Sequence, residues 1–353
     1  MSFDIVITWV DWSNKNFIKK LIDAGGRSEG CESGDFIELK YLLRSLKKHK
    51  INYRKIHIVH SDNHPPPVYL KETERLSFVP HSALVTDSSH LPLIHRESIV
   101  AHLHRIPQLH QYYFYLQDDL FIMNKNVFSK IIELYDNKKI YTFRVNLKKK
   151  YNVKESGGLW HQSTVNSSRI INGREEGNMI IFEHAVQFFD KKIMQHLEKK
   201  YNKQFLATFS YQNQDKEKYK EKDIICATCI FSNYLIYKMG YNELPIPEYF
   251  YTEIHTNGYD KVTESQKADL VKKLDDSRNT YVLNAQGNGI SDEYSDCPIV
   301  HDIFYSFLEK EFPNRTEFEN FQIDKFNPLN CKIKNFKLLI ILLIIIIIVV
   351  ISF

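Results

Sequence analysis

Residues 112–122 read YYFYLQDDLFI, an apolar run broken by the adjacent carboxylates Asp118 and Asp119. A short, bulky run that stops at acidic turn residues has the pattern of a buried strand. The same pattern occurs twice upstream. Residues 3–10, FDIVITWV, end at Asp11, and residues 55–60, KIHIVH, end at Ser61 and Asp62. Between these two lies FIELKYLLRSLKKH, residues 36–49, with apolar positions 36, 39, 42, 43 and 46 on a helical period. Residues 97–105 form a second helical stretch before the third strand. Strand, helix, strand at this spacing predicts βαβ units and an α/β fold, a Rossmann-like, mostly parallel sheet flanked by helices. Ligands bind such sheets beyond the carboxyl ends of the strands. Three strands would therefore deliver carboxylates to one edge, as a metal–diphosphate site requires. One Asp after a strand is an ordinary turn starter. Two in a row repel each other unless a cation or solvent offsets them, and that points to function.

Further along, residues 147–154 are lysine-rich and read as a solvated loop, and residues 160–177 read as a polar loop. Residues 183–201 read as a helix with His184 near its start. A charge run at 216–222 leads into an apolar helix at 224–239. A short strand at 281–283 precedes the loop Gly287-Asn-Gly289, and residues 300–311 form a last amphipathic helix. The C-terminal half is thus expected to be helical. No internal repeat is visible.

At 353 residues, the chain has room for two domains or one large α/β domain. Its 43% hydrophobic and 25% charged residues are ordinary for a globular protein. Net charge is +4, and Lys332, Lys334 and Lys337 account for three of those charges. The body is near neutral, which argues against nucleic-acid binding by bulk charge. Five cysteines do not make a disulfide framework. Cys226 and Cys229 form C-x-x-C inside an apolar helix, read as small core residues, with a zinc or redox pair as the other reading.

The N-terminus lacks the basic region and cleavage site of a signal peptide. Residues 338–353, LLIILLIIIIIVVISF, carry no charge. As a helix they span ~24 Å, against a hydrocarbon core ~30 Å thick. With Lys337 snorkelling, this reads as a single-pass C-terminal tail anchor whose lysine flank places the body in the cytosol. The sequons at Asn166 and Asn314 would then go unused.

Four blocks, in order, resemble the Stealth family of sugar-1-phosphate transferases. They are FDIVITWVDWS; DFIELKYLLRSLKKH with RKIHIVHSDNHPP; SHLPLIHRESIVAHLHRIPQLHQYYFYLQDDLFI; and EHAVQFFDKKIM with EKDIICATCIFSNYLIYKMG. The resemblance runs from about residue 3 to residue 319. It implies transfer of a sugar-1-phosphate, such as GlcNAc-1-phosphate, from a UDP-sugar to a hydroxyl of a glycan or glycoprotein acceptor, with UMP released. It implies Mg²⁺ (or Mn²⁺) at Asp118 and Asp119, since a hard cation takes carboxylate oxygen. His184 would take the acceptor's proton or stabilise the phosphoryl oxygens. Asp4, Thr8, Trp9 and Asp11 match the first block, and Glu38 and Arg44 the second. Arg44 would clamp a phosphate or serve as an ion-paired helix residue. His104 and Arg105 match the third block; His104 would cap the site or pack under the strand. Asn166 and Asp223 match positions around the fourth. The expected layout is a nucleotide-sugar-binding part at 1–135, an acceptor part at 136–319, a linker at 320–337 and the anchor at 338–353, with a homodimer as one possible assembly.

The chain also departs from the family pattern. Gly34, Phe36, Val100, Gln117, Tyr219 and Ala285 stand where the family has arginine, asparagine, glutamate, asparagine, arginine and aspartate. These losses leave open a UDP-releasing glycosyltransferase or an inactive glycan-binding relative.

Overall fold

A computed structural model describes residues 1–11, 14–23, 38–93, 95–147, 158–174, 177–181, 185–210, 223–255, 263–286 and 298–320. The chain opens with β1 (Asp4–Thr8), α1 (Lys15–Asp23), α2 (Glu38–Lys48), β2 (Ile56–His60) and β3 (Leu76–Pro80). It continues through α3 (Arg96–Val100), β4 (Tyr112–Gln117), β5 (Leu120–Ile122), α4 (Val127–Asp136) and β6 (Lys139–Leu147). Next come α5 (Gly158–Asn172), β7 (Gly177–Ile181), β8 (Gln187–Asp190), α6 (Lys191–Lys200), α7 (Asn202–Ser210) and α8 (Ala227–Met239). The last elements are β9 (Asn242–Pro245), β10 (Tyr251–His255), α9 (Glu264–Asp276), β11 (Val282–Gln286) and α10 (Pro298–Glu311).

The main sheet has the order β3-β2-β1-β4-β8. Its first four strands are parallel, and β8 closes the edge antiparallel to β4. Ile5, Val6, Ile7, Phe114 and Leu116 are all sealed in the core, as continuous apolar strands of a sheet covered on both faces must be. The chain lays down β1, β2 and β3 outward to one side, then returns to place β4 on the other side of β1. The order reverses between β1 and β4, and the crevice beyond their carboxyl ends is a topological switch point. Two three-stranded sheets complete the fold, β10-β11-β5 and β7-β6-β9. A second, smaller core under β5 and β11 gathers Phe121, Leu283, Phe304, Leu308 and Phe312.

The expected mixture of α and β is present, with three corrections. The C-terminal half is not helical throughout, because β7 to β11 lie in it. The segment read as a loop at 160–177 is mostly the fifteen-residue helix α5. Within the segment read as a helix at 183–201, Gln187–Asp190 form strand β8, and the helix starts only at Lys191, where Asp190 caps it by accepting the Lys192 N–H. Among the described residues no helix is long and apolar enough to cross a membrane. The tail at 338–353 lies outside them.

Candidate active site

Asp118 and Asp119 form the turn between β4 and β5, on the carboxyl side of β4. Both flanks of that turn are fixed. On one side, Thr8 pairs with Gln117 in the β1–β4 register, and Thr8 Oγ1 lies 3.1 Å from the Tyr115 hydroxyl. Burial pushes that phenol up to about 12, so it stays a neutral partner. On the other side, the Ile122 N–H donates to Ser45 Oγ of α2 at 3.0 Å, and β5 pairs with β11 through Leu120 and Asn284. The two carboxylates are thus held at the switch point on well-packed supports.

Asp119 is the more informative of the pair. It is half-buried, but its Oδ1 is sealed from solvent and has no hydrogen-bond partner among the described residues. Burial pushes its acid up to about 7; its own backbone N–H and Arg96 oppose the rise, and Glu253 adds to it. Glu253 reaches this neighbourhood because β10 pairs in parallel with β11, setting Glu253 beside Asn284. An orphaned carboxylate oxygen that burial makes costly to ionise is a group arranged to meet a cation or a proton.

The other candidate residues divide by position. Thr8 sits with the aspartates. Trp9 and Asp11 follow β1 at the same edge; Trp9 is buried against His64, with ring centroids 5.1 Å apart, and the charge of Asp11 is felt by His64. Glu38 opens α2, half-buried.

Asp4 lies at the opposite, amino end of β1. It is fully buried and accepts from Arg54 Nε at 2.8 Å, His57 Nε2 at 3.1 Å and the His110 N–H at 2.9 Å. Arg44 is buried and makes a two-point pair with Glu319, at 3.0 and 2.8 Å, so of its two readings the ion-paired helix residue describes what is seen. His104 and Arg105 both bond Glu198 of α6, His104 at 2.7 Å. Burial would raise the Glu198 carboxyl, but these two partners outweigh it and hold the acid down at about 2. Asn166 is fully buried, donating to Ile224 O at 2.8 Å, and Asp223 pairs with Lys203 at 3.4 Å. His184 lies outside the described residues.

Two charged residues at this edge escaped the sequence reading, Arg96 and Glu97. They open α3, and the signal was present: an Arg-Glu pair heading an apolar helical run. Glu97 is buried. Its Oε1 accepts from Arg96 Nε and Nη2, and its Oε2 accepts the Ala227 N–H at 3.2 Å. Cys226 and Cys229 are free thiols, both buried, with Cys226 at the N-cap of α8.

Residues 33–140 match the family model described as Stealth protein CR2, conserved region 2. The chain is 32% identical over 124 residues to an exopolysaccharide phosphotransferase of Streptomyces coelicolor, covering 34% of this chain and 21% of that protein. It is 30% identical over 125 residues to the exopolysaccharide phosphotransferase CpsY of Mycobacterium leprae, covering 33% of this chain and 23% of the relative. The match to the capsular polysaccharide phosphotransferase SacB of Neisseria meningitidis serogroup A is 26% over 225 residues, 58% of this chain and 38% of the relative. The chain therefore spans between about a fifth and two fifths of these relatives. Among solved structures, a galactosyltransferase in complex with donor and acceptor sugar analogues aligns at TM-score 0.40 and 13% identity, over 89% of this chain and 98% of that one. Mouse xyloside xylosyltransferase 1 aligns at TM-score 0.36 and 8% identity, over 82% and 99%. Likenesses below 0.5 decide neither fold nor function.

Proposed function

We propose, for a Stealth protein identified by the conserved region 2 that this chain carries, a hexose-1-phosphoryl transferase. A sugar-1-phosphate such as GlcNAc-1-phosphate passes from a UDP-sugar to a hydroxyl of a glycan acceptor, UMP leaves, and a phosphodiester forms. The phosphotransferase names of the matched relatives support the reaction type. The observation that carries the reading to this chain is Asp119, with one oxygen sealed and unpartnered at the switch point, inside the matched region.

The residues fit a divalent cation. Mg²⁺ is commonly held by one or two carboxylates and completed by substrate phosphate oxygens. That accords with Asp118 and Asp119 as holders, and with no group of three or more His, Cys, Asp or Glu among the described residues able to hold a metal unaided. Such an ion, when bound, neutralises diphosphate oxygens. The chain's own groups supply the rest. The β4–β5 turn fixes the two carboxylates against the rigid sheet. Trp9 and Asp11 follow β1 at the same sheet edge, where Asp11 is proposed to meet the nucleoside or its diphosphate. His184 is proposed to take the acceptor hydroxyl's proton or to steady the phosphoryl oxygens, and the apolar stretch 338–353 to tether the protein to a membrane.

The test is product identity. Incubated with UDP-GlcNAc, Mg²⁺ and hexose acceptors, the protein should release UMP, and Asp119→Asn should abolish the release. UDP as the product would move the chain to the glycosyltransferases.

A further inference from the structure

We infer that Arg96 is the anion-holding residue of this edge, the group that takes the distal phosphate of a nucleoside diphosphate. The inference rests on the proposed reading of the switch point as a diphosphate site and names the residue that reading lacks.

Arg96 donates through Nε and Nη2 to one oxygen of Glu97, Oε1, at 3.2 and 2.8 Å. Both bonds use one edge of the guanidinium. Its Nη1 end has no protein acceptor among the described residues, and the side chain is 38% exposed. The fork is thus held along its Nε–Nη2 edge, which leaves Nη1 for a further acceptor. The group holding it is itself fixed: Glu97 is buried, and its second oxygen is occupied by the Ala227 N–H at the start of α8. Arg96 is also in the right place. Its charge is felt by both Asp119 and Tyr115, the residues flanking the carboxyl end of β4. A planar cation with spare N–H groups matches phosphate oxygens in a way a point charge does not. Beside two carboxylates, it gives the edge the positive partner that a diphosphate needs.

Glu97 is a positioning residue in this scheme. It touches no substrate and acts by setting the angle of Arg96.

The experiment is calorimetric titration of the full chain in Mg²⁺ buffer with UDP, uridine and inorganic pyrophosphate, on wild type, Arg96→Gln, Arg96→Lys and Glu97→Gln. Near-UV circular dichroism checks that each variant is folded. Arg96→Gln should weaken UDP and pyrophosphate by about tenfold or more and leave uridine unchanged. Arg96→Lys should recover only part of the loss, because an ammonium cannot fork. Glu97→Gln should fall between wild type and Arg96→Gln. Wild-type affinity for UDP and pyrophosphate in folded Arg96→Gln overturns the inference while leaving the proposed function standing. If wild type binds pyrophosphate in an Arg96-dependent way but gains nothing from uridine, the nucleotide reading fails and Arg96 stands. If wild type binds neither UDP nor pyrophosphate, both are overturned.

Discussion

Asp4 and Arg54 meet at the amino edge of the central sheet: Nε donates to Oδ1 at 2.8 Å, and Nη2 bonds Oδ2. His57 and the His110 N–H complete the set, so Asp4 joins β1 to β2 and to the segment leading into β4. It is the far end of the strand from the proposed site.

Asp4→Ala should therefore lower stability by about 3 kcal/mol, because it leaves the buried His57, the His110 N–H and Arg54 without their carboxylate. Burial favours the neutral acid, but the bonds from His57, Arg54 and His110 outweigh it, so the folded acid lies below 3.8. Its stabilisation is full above 3.8 and is lost as pH falls through the lowered folded value. Urea unfolding at pH 7 and pH 3 checks both points. A folded Asp4→Ala protein of wild-type stability would make Asp4 a surface contact.

Asp119 behaves in the opposite sense. Burial raises its acid from 3.8 to about 7, so ionising it costs the fold stability as pH climbs through that window. Without divalent ion, Asp119→Asn should be more stable than wild type by about 1–2 kcal/mol at pH 8, and no more stable at pH 4. Thermal melts at both values decide it. Mn²⁺ added at pH 8 should stabilise wild type and leave the variant unmoved.

His81 sets an acid limit. Burial drops its imidazole from 6.5 to about 3, against the pull of Asp62 and with the push of His60 and His64. It is neutral when folded, so its contribution is whole above 6.5 and declines as pH falls from there toward 3. Wild type should lose melting temperature steadily from pH 6.5 to 4, and His81→Gln should show a shallower slope. Parallel slopes would place the acid sensitivity elsewhere.

A chain ending at Asn320 should keep its full stability, whereas one ending at Phe312 should not. Residues 318–320 pair with the backbone at 69–71, and Glu319 answers the buried Arg44. Removing Glu319 takes away the two-point partner of that buried guanidinium and leaves it Glu309 and the Phe312 carbonyl, each at 3.3 Å, a loss of about 2–3 kcal/mol. Denaturant midpoints of the two truncations make the comparison. The chain ending at Asn320 should also stay in the aqueous phase of a detergent partition, and the full chain should enter the detergent.

Three of the four parallel strands were legible because their residues are apolar on both faces: β1, β2 and β4 fall within two residues of the runs at 3–10, 55–60 and 112–117, whereas β3, only partly buried, was missed. Helix α5 was not legible, for a definite reason. Its buried residues are mostly polar, Ser163, Thr164, Asn166, Ser167 and Ser168 beside the apolar Val165 and Ile171, and it docks on α8 and the preceding segment through hydrogen bonds. Ser167 Oγ, for one, accepts from the Cys226 N–H at 2.9 Å. No hydrophobic period marks such a face. Strand β8 was hidden because four residues run straight into α6 with Asp190 as the joint. Asp118 and Asp119 were readable because chemistry follows the strand end, whereas the ion pairs of Arg44, His104 and Arg105 join positions 93 to 275 residues apart, beyond any local pattern.

The central place of β1 also has a consequence for how the protein is made. β1 leaves the ribosome before the strands it pairs with, which begin at residues 56 and 112. At about 5–20 residues per second, an apolar segment waits several seconds or more with no strand to pair with. Synthesis is therefore a stage at which this strand is exposed to aggregation, and a nascent-chain chaperone has a clear target in residues 3–10.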